Sequence, residues 1–302
     1  MDSIENITSS FEKHGYICSE KIATAIFLAA KLEKPLLVEG PPGVGKTELA
    51  KTAAYVVDKP LVRLQCYEGL DEAKALYEWK YSKQLLYTQL LKEQLSDVLG
   101  GAIGFKDSMT RLHAFSDAFY SREFLEPRPL LRAMHEKNGS VLLIDEIDKA
   151  DFEFESLLLE ILSDYQVSIP EIGTIAATKI PFVVLTSNDT REASDALKRR
   201  CIHLYIPFPD QALEERIVLE KVPQIDDKLR KKLVGFVQAL RSLDLKKTPA
   251  ISETIDWAKS LLLLNAKSLE SDLVVNTLNV LLKFEEDIEN TKSNLASILK
   301  QA

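Results

Sequence analysis

A glycine-rich segment of eight residues constrains the fold of this chain more than any other feature. It follows the pattern G-x-x-x-x-G-K-T and consists of Gly40, Pro41, Pro42, Gly43, Val44, Gly45, Lys46 and Thr47. The apolar run Leu36–Val38 precedes it, and Thr47 to Val57 is predicted to form a helix. Glycine lets the backbone curl so that N–H groups point inward at an anion, and the helix presents its positive end to that anion. The pattern therefore predicts a phosphate-binding loop between a buried strand and a helix.

The lysine and the threonine that end this segment have separate predicted roles. We expect Lys46 to reach the β- and γ-phosphates of a nucleotide, and the hydroxyl of Thr47 to ligate Mg²⁺. The same pattern also arises as a simple glycine-rich turn that exposes a lysine. The strand before the segment and the helix after it favour nucleotide binding, because the motif requires that context.

Two acidic residues follow the clearest strand signal in the chain. Val141–Ile144 has four apolar residues without alternation, which is typical of a central parallel strand, and Asp145 and Glu146 come next. An α/β sheet binds ligands at the carboxyl ends of its strands. We expect Asp145 to hold Mg²⁺, directly or through water, and Glu146 to orient and deprotonate the attacking water. The sequence has no Asn-Lys-x-Asp guanine-reading segment, so adenine is the expected base.

Further polar residues end the next strand and a short helix. Thr186-Ser187-Asn188 ends a second buried strand, and the strand order places Asn188 beside Glu146, where it can position the water. The alternative is an ordinary turn asparagine. Arg199 and Arg200 close a predicted helix. They either balance the helix dipole, or one of them is an arginine finger for the γ-phosphate of a neighbouring subunit.

Strand and helix signals alternate up to Pro209, and only helices are predicted beyond it. This pattern indicates an α/β core with a central parallel sheet over residues 1–209 and a smaller all-α domain over 210–302. The core has a less regular insertion near 68–128 and a predicted hairpin near 166–180, which pairs Gln166–Pro170 with Ala177–Ile180. Helices are predicted at about 19–32, 124–135, 195–200, 211–221, 226–243, 252–265 and, with a break, 269–299.

Composition excludes several classes of protein. The 38 Lys and Arg residues against 46 Asp and Glu residues give a net charge of −8, which argues against a general nucleic-acid backbone binder. No apolar run approaches the length of a membrane span, and no secretory signal is visible at the N-terminus. The scattered Cys18, Cys66 and Cys201 fit buried thiols in a reducing compartment. We therefore expect a cytoplasmic protein without membrane insertion.

Taken in this order, the motifs resemble those of the AAA+ ATPases. The chain is most similar to the MoxR family, and within it to the CoxD-type accessory ATPases of carbon monoxide dehydrogenase maturation. The resemblance extends from about Glu20 to Leu264. The segments that carry it are Val38–Glu48, Arg63–Asp71, Leu76–Trp79, Leu142–Lys149, Thr186–Asn188 and Asp195–Cys201.

The resemblance implies a P-loop NTPase core, an all-α lid, and ATP and Mg²⁺ bound between the subunits of a homo-oligomeric, hexameric ring. By alignment with the family's finger motif, Arg200 is the better finger candidate and Arg199 the second. The implied partner is a von Willebrand A domain protein, and the implied activity is a chaperone that inserts metal cofactors into client enzymes, with molybdenum enzymes among the candidates. The alternatives are a nucleic-acid motor or loader of the same fold, and a nucleotide-dependent binding module that hydrolyses poorly.

One position departs from the family pattern, and one cluster has two interpretations. Glu253 stands where many AAA+ proteins have a lid arginine that senses the γ-phosphate. Either lid closure on ATP does not follow the family's usual mechanism, or another cation takes the place of that arginine. The aromatic residues in Tyr77-Glu78-Trp79 and Tyr81 form either a client-binding surface or the aromatic core of the insertion.

Overall fold

The apolar runs of the sequence form strands that lie beside one another in a parallel sheet. The computed structural model describes residues 3–91, 120–170 and 172–301. The described strands are β1 (Leu36–Glu39), β2 (Leu61–Gln65), β3 (Tyr77–Trp79), β4 (Leu125–Pro127), β5 (Val141–Asp145), β6 (Gln166–Ile169), β7 (Gly173–Ala176), β8 (Phe182–Ser187) and β9 (Ile202–Tyr205).

Helices cover the sheet and make up most of the chain after β9. They are α1 (Ile4–Lys13), α2 (Glu20–Lys31), α3 (Lys46–Val57), α4 (Glu72–Ala75), α5 (Tyr81–Leu91), α6 (Pro129–His135), α7 (Phe152–Asp164), α8 (Asp195–Arg200), α9 (Gln211–Lys221), α10 (Asp227–Arg241), α11 (Ile251–Leu263), α12 (Ser271–Leu281) and α13 (Glu285–Gln301). Short side chains accept the free N–H groups at several helix starts, as Ser19 does for α2 and Asp226 for α10.

The main sheet has five strands in the order β2-β5-β8-β1-β9, and every neighbouring pair is parallel. β8 lies between β5 and β1, with Ile144 opposite Leu185 and Val38 opposite Thr186. The carboxyl ends of these three strands therefore meet at one edge. This order brings the phosphate-loop segment, the acidic pair and Asn188 together, although they are far apart in the sequence.

Successive strand residues point to opposite faces of the sheet. Helices cover both faces, so both sets of side chains are buried. One apolar cluster contains Leu37, Leu142, Ile144 and Leu185, together with side chains of α6 and α7. The cluster on the other face contains Leu36, Val38, Leu143 and Val184, together with side chains of α2 and α3. A third cluster is formed by α9 to α13, and its largest fully buried side chain is Trp257.

Two predicted elements differ from the structure. Residues 124–135 do not form one helix: a 3₁₀ turn and β4 occupy Arg122–Pro127, and α6 begins at Pro129 because proline suits the first turn of a helix but not its interior. The hairpin partner of β6 is β7, not Ala177–Ile180, because Gly173 adopts a φ of 89° and starts the returning strand. The helix α1 has no counterpart in the prediction.

The insertion predicted near 68–128 is described in part. Its described residues form α4, α5 and a two-stranded antiparallel sheet of β3 and β4. Trp79 is buried and Tyr81 is exposed, so the aromatic residues contribute both to a core and to the surface. Within this insertion the sequence also predicts a helical face formed by Leu91, Leu95 and Val98 and a glycine-rich break at 100–104. Both fall outside the described residues, apart from the backbone of Leu91.

The three cysteines are free and buried, as predicted. Burial raises the pKa of each of the thiols of Cys18, Cys66 and Cys201 to about 12. These thiols therefore stay protonated at neutral pH. Across residues 3–91, 120–170 and 172–301, no helix has the length and apolar character required to cross a bilayer.

Candidate functional site

The loop between β1 and α3 contains the predicted phosphate-binding residues. Gly43 and Gly45 have φ angles of 73° and 95°, a region that glycine occupies without strain. A Cβ atom at Gly43 would lie only 2.4 Å from the Cβ of Ala250, which precedes α11. The loop therefore curls tightly before α3 begins at Lys46, and the N-terminus of α11 lies directly against it.

The side chain of Lys46 is buried within this loop, where the residue is 6% exposed. Its Nζ donates hydrogen bonds to the carbonyl oxygens of Gly40 and Pro41, both at 2.7 Å, and to Oδ1 of Asn188 at 2.8 Å. Desolvation lowers the pKa of Lys46, and the nearby carboxylates of Asp148, Asp145 and Glu146 oppose that shift. The ammonium group thus lies at the centre of the predicted phosphate site.

Asp145 ends β5 and is 2% exposed. Its Oδ1 accepts hydrogen bonds from Thr47 Oγ1 at 3.1 Å and Thr186 Oγ1 at 2.6 Å. Its Oδ2 accepts hydrogen bonds from Nε and Nη2 of Arg63 at 3.1 and 2.6 Å. The Thr47 hydroxyl and the Asp145 carboxylate are adjacent oxygen groups beside the loop, a donor set that fits Mg²⁺.

Glu146 adopts a left-handed backbone conformation, with φ 58° and ψ 53°. Such a conformation is uncommon for a residue with a side chain and costs about 1–2 kcal/mol. Its N–H donates to Thr186 Oγ1 at 2.9 Å. Its Oε2 accepts from Gln65 Nε2 at 2.8 Å and Lys149 Nζ at 2.5 Å. The strained backbone and these contacts hold the carboxylate at the edge of the sheet.

Asn188 follows β8 and lies beside Glu146, as the strand order predicts. Its Nδ2 donates to Oε1 of Glu146 at 3.2 Å, while its Oδ1 accepts from Lys46. One amide group thus connects the phosphate-loop lysine with the acidic residue after β5.

Two cavities lie on either side of the phosphate loop. The polar cavity, of about 270 Å³, is lined by Lys46, Thr47, Asp145, Glu146, Thr186 and Asn188, among others. The apolar cavity, of about 440 Å³, lies between the core and the helices after β9, and its lining includes Tyr16, Ile17, Val44, Ile206, Ile217 and Ile255. Both cavities are lined by Gly43 and Gly45. Polar groups on one side and apolar groups on the other suit a ligand with a charged end and a flat apolar end.

The two candidate arginines lie elsewhere on the molecule. Arg199 and Arg200 are exposed at the end of α8, and neither lines the polar cavity. Arg200 Nε donates to Ser163 Oγ at 2.8 Å, and its Nη1 donates to the carbonyl oxygen of Ala196 at 3.4 Å. Neither arginine belongs to the phosphate site of its own chain.

Glu253, at the position of the expected lid arginine, caps α11. Its Oε2 accepts from the N–H of Ala250 at 3.1 Å and from Ser252 Oγ at 2.8 Å. Among the described residues that line the apolar cavity, the positively charged side chains are those of Lys221 and Lys259.

Three residues that hold the acidic pair and Asn188 were not predicted as part of the site: Arg63, Gln65 and Asp148. Arg63 and Gln65 are alternate residues on one face of β2, and Gln65 pairs with Asp145 across the sheet. The period of two along β2 indicates that both side chains lie on one face of the sheet. It does not connect them with the site unless β2 is known to lie beside β5.

A solved structure shares this fold. A mutant of RuvB from Thermotoga maritima has a TM-score of 0.50 at 18% identity, covering 93% of this chain and 74% of that chain. The RuvB Holliday junction branch migration motor from the same organism has a TM-score of 0.49 at 17% identity, covering 97% of this chain and 76% of that chain.

Sequence comparison identifies the family. Uncharacterized proteins of Staphylococcus aureus strains bovine RF122 / ET3-1 and NCTC 8325 / PS 47 are 28% and 27% identical to this chain over 238 residues, 76% of each chain compared. Residues 35–201, more than half of the chain, match the family model described as AAA domain, dynein-related subfamily. That segment contains β1, β5 and β8 with the side chains that follow them, and the chain therefore belongs to the dynein-related subfamily of AAA domain proteins.

Proposed function

We propose that this protein is a Mg²⁺-dependent ATPase that remodels a protein client. The family and the fold imply ATP binding and hydrolysis at a general level. The observation that carries the specific proposal is the amide of Asn188, which joins Lys46 to Glu146. A phosphate-binding cation, a water-orienting amide and a carboxylate base in one connected group are what ATP hydrolysis requires.

Each side chain then has one task. Lys46 and the curled loop bind the β- and γ-phosphates, and Thr47 and Asp145 would hold Mg²⁺, which supplies positive charge to the phosphate oxygens. Glu146 accepts a proton from the attacking water, and Asn188 orients that water toward the γ-phosphate. Adenine occupies the apolar cavity on the other side of the loop.

We propose further that the chain works in an assembly of the MoxR type. Residues 1–209 form the ATPase core and 210–302 the lid, in a ring that places Arg200, or secondarily Arg199, at a neighbour's γ-phosphate. The exposure of both arginines outside their own site supports a role in trans. By this resemblance the partner is a von Willebrand A domain protein, and the work of this cytoplasmic chain is metal-cofactor insertion into a client enzyme. The net charge of −8 supports a protein client over nucleic acid.

Glu146→Gln tests the proposed base. It removes the proton acceptor and keeps the side-chain shape, so we expect kcat to fall about 100- to 10,000-fold. Binding of a fluorescent ADP analogue, measured at equilibrium, should stay unchanged because Lys46 and the loop are intact. The control is Glu153→Gln, an exposed carboxylate in the first turn of α7, which should leave both quantities unchanged. Full turnover by Glu146→Gln would show that this base is wrong.

Adding nucleic acid to the ATPase assay distinguishes a protein client from a nucleic-acid client. Single- or double-stranded DNA or RNA should leave the steady-state ATPase rate unchanged. A large stimulation would favour a nucleic-acid motor instead.

A further inference from the structure

Asp148 is a buried carboxylate that the proposed mechanism does not use. It lies in the 3₁₀ turn Ile147–Lys149, two residues after Glu146, and is 5% exposed. Within residues 3–91, 120–170 and 172–301, no lysine or arginine forms a salt bridge with it. Burying an unpaired carboxylate is costly unless hydrogen bonds compensate, so its partners indicate what the carboxylate holds in place.

Those partners come from one short segment, the loop that follows β8. Oδ1 of Asp148 accepts a hydrogen bond from the backbone N–H of Asn188 at 3.1 Å. Oδ2 accepts from the backbone N–H of Thr190 at 3.3 Å and from the Thr190 hydroxyl. Three donors thus converge on the two carboxylate oxygens, and two of them are backbone groups on either side of residue 189.

The loop needs this support because its backbone is strained. Asp189 adopts a φ of 60°, and its N–H donates to Ser187 Oγ at 3.0 Å. This left-handed residue turns the chain immediately after Asn188. The N–H groups of Asn188 and Thr190 both donate to Asp148. Among the described residues, neither N–H group donates to any other acceptor.

We propose that Asp148 is a positioning residue that fixes the backbone of Asn188, so that the Asn188 amide spans Lys46 and Glu146. The inference rests on the proposed role of Asn188 in ATP hydrolysis. One turn of the chain then carries both the base, Glu146, and the carboxylate that holds the water-orienting amide. The distance between base and amide is set within a single rigid unit, and a displacement of about 1 Å in such a group costs on the order of 100-fold in rate.

Asp148→Ala removes all three hydrogen bonds. We expect kcat to fall about 10- to 100-fold, while the Kd of a fluorescent ADP analogue stays unchanged. Asp148→Asn keeps an amide oxygen that accepts from the Asn188 N–H but turns an NH₂ group toward Thr190, so its kcat should be intermediate. The control is Asp151→Ala, which removes a neighbouring carboxylate that caps α7. Among the described residues, the Asp151 carboxylate forms no hydrogen bond or salt bridge with the loop after β8.

A double-mutant cycle distinguishes positioning from an independent role. If Asp148 acts through Asn188, the Asn188→Ala and Asp148→Ala pair should be no slower than Asn188→Ala alone. A double variant slower by the product of the two single effects would overturn the proposal, as would full kcat in Asp148→Ala. Full kcat in Asn188→Ala would instead refute the role of Asn188 itself, and the inference would fail with it.

A milder pair of variants covers a failure of Asp148→Ala to fold. Thr190→Val removes the hydroxyl donor and leaves both backbone hydrogen bonds, so kcat should fall less than in Asp148→Ala, with unchanged melting temperature and ADP affinity. Thr190→Ser keeps the hydroxyl and should restore kcat. Equal kcat in Thr190→Val and the unmodified protein would count against the proposal.

Discussion

Gly43 has a φ of 73° and lies against Ala250, so two separate constraints act on one residue. Gly69 has a similar φ of 77° but no heavy atom within 4 Å of where its Cβ would lie. Both glycines have a positive φ, but only at Gly43 would an added Cβ atom also collide with a neighbouring residue. Comparing them separates backbone strain from the packing of α11 against the phosphate loop.

Gly43→Ala should destabilise the protein more than Gly69→Ala does. Each substitution places a side chain at positive φ, which costs about 1–2 kcal/mol. Only Gly43→Ala adds a clash with Ala250, worth about 1–3 kcal/mol more, and it should also weaken nucleotide binding because the loop or α11 has to move. Thermal melts and ADP titration measure both effects. Equal melting temperatures for the two variants would contradict this account.

Among the helices after β9, one buried ion pair joins three elements. Glu214 of α9 is fully buried and accepts from Nη1 and Nη2 of Arg241 of α10 at 2.6 and 2.7 Å. It also accepts from Thr254 Oγ1 of α11 at 2.8 Å. Arg241 in turn donates to the carbonyl oxygen of Pro249, one residue before Ala250. This pair therefore fixes the helix that contacts the phosphate loop.

Arg241→Met should destabilise these helices by about 3–5 kcal/mol, because it leaves the Glu214 carboxylate buried without its cation. Urea unfolding followed by the fluorescence of buried Trp257 measures the change. The control is Lys246→Met, which breaks an exposed pair with Glu286 and should cost about 0–1 kcal/mol. Adding Glu214→Leu to Arg241→Met should recover stability. If it does not, the penalty does not come from the orphaned charge.

At the scale of the whole molecule, the phosphate site holds a lysine, two carboxylates and an amide, while Arg199 and Arg200 lie outside it. An arginine finger typically raises kcat about 1,000-fold or more. We propose that a second copy of the chain supplies the arginine finger. Activity is then a property of the interface between two copies.

Mixing two inactive variants tests this interface. We expect Lys46→Ala subunits to lose nucleotide binding but still to present Arg200, and Arg200→Ala subunits to bind nucleotide but to present no finger. The mixture should recover part of the ATPase rate that each variant lacks alone. Arg199→Ala mixed in the same way is the comparison that distinguishes the two arginines. Absence of rescue at every ratio would exclude a finger at residue 200.

Much of the site was predictable because its signals are local. The phosphate loop is eight consecutive residues whose glycines determine its shape, and Asp145 and Glu146 directly follow an apolar strand. The strands β1, β5 and β8 were predictable because burial on both faces requires unbroken apolar runs. Residues 124–135 were mispredicted because apolar periodicity does not show that Leu125–Pro127 pairs with β3, 46 residues or more earlier in the chain.

The sequence by itself determined the chemistry of this protein: a lysine and a threonine at the start of the helix after the phosphate loop, and two carboxylates and an amide where two strands end. Apart from the predicted pair of Asn188 and Glu146, the tertiary structure alone decided which groups touch. Arg63 reaches Asp145 across 82 positions and Asp148 reaches Asn188 across 40, only because β5 lies between β2 and β8. Such contacts depend on strand order and register, which are set by long-range packing and not by neighbouring residues.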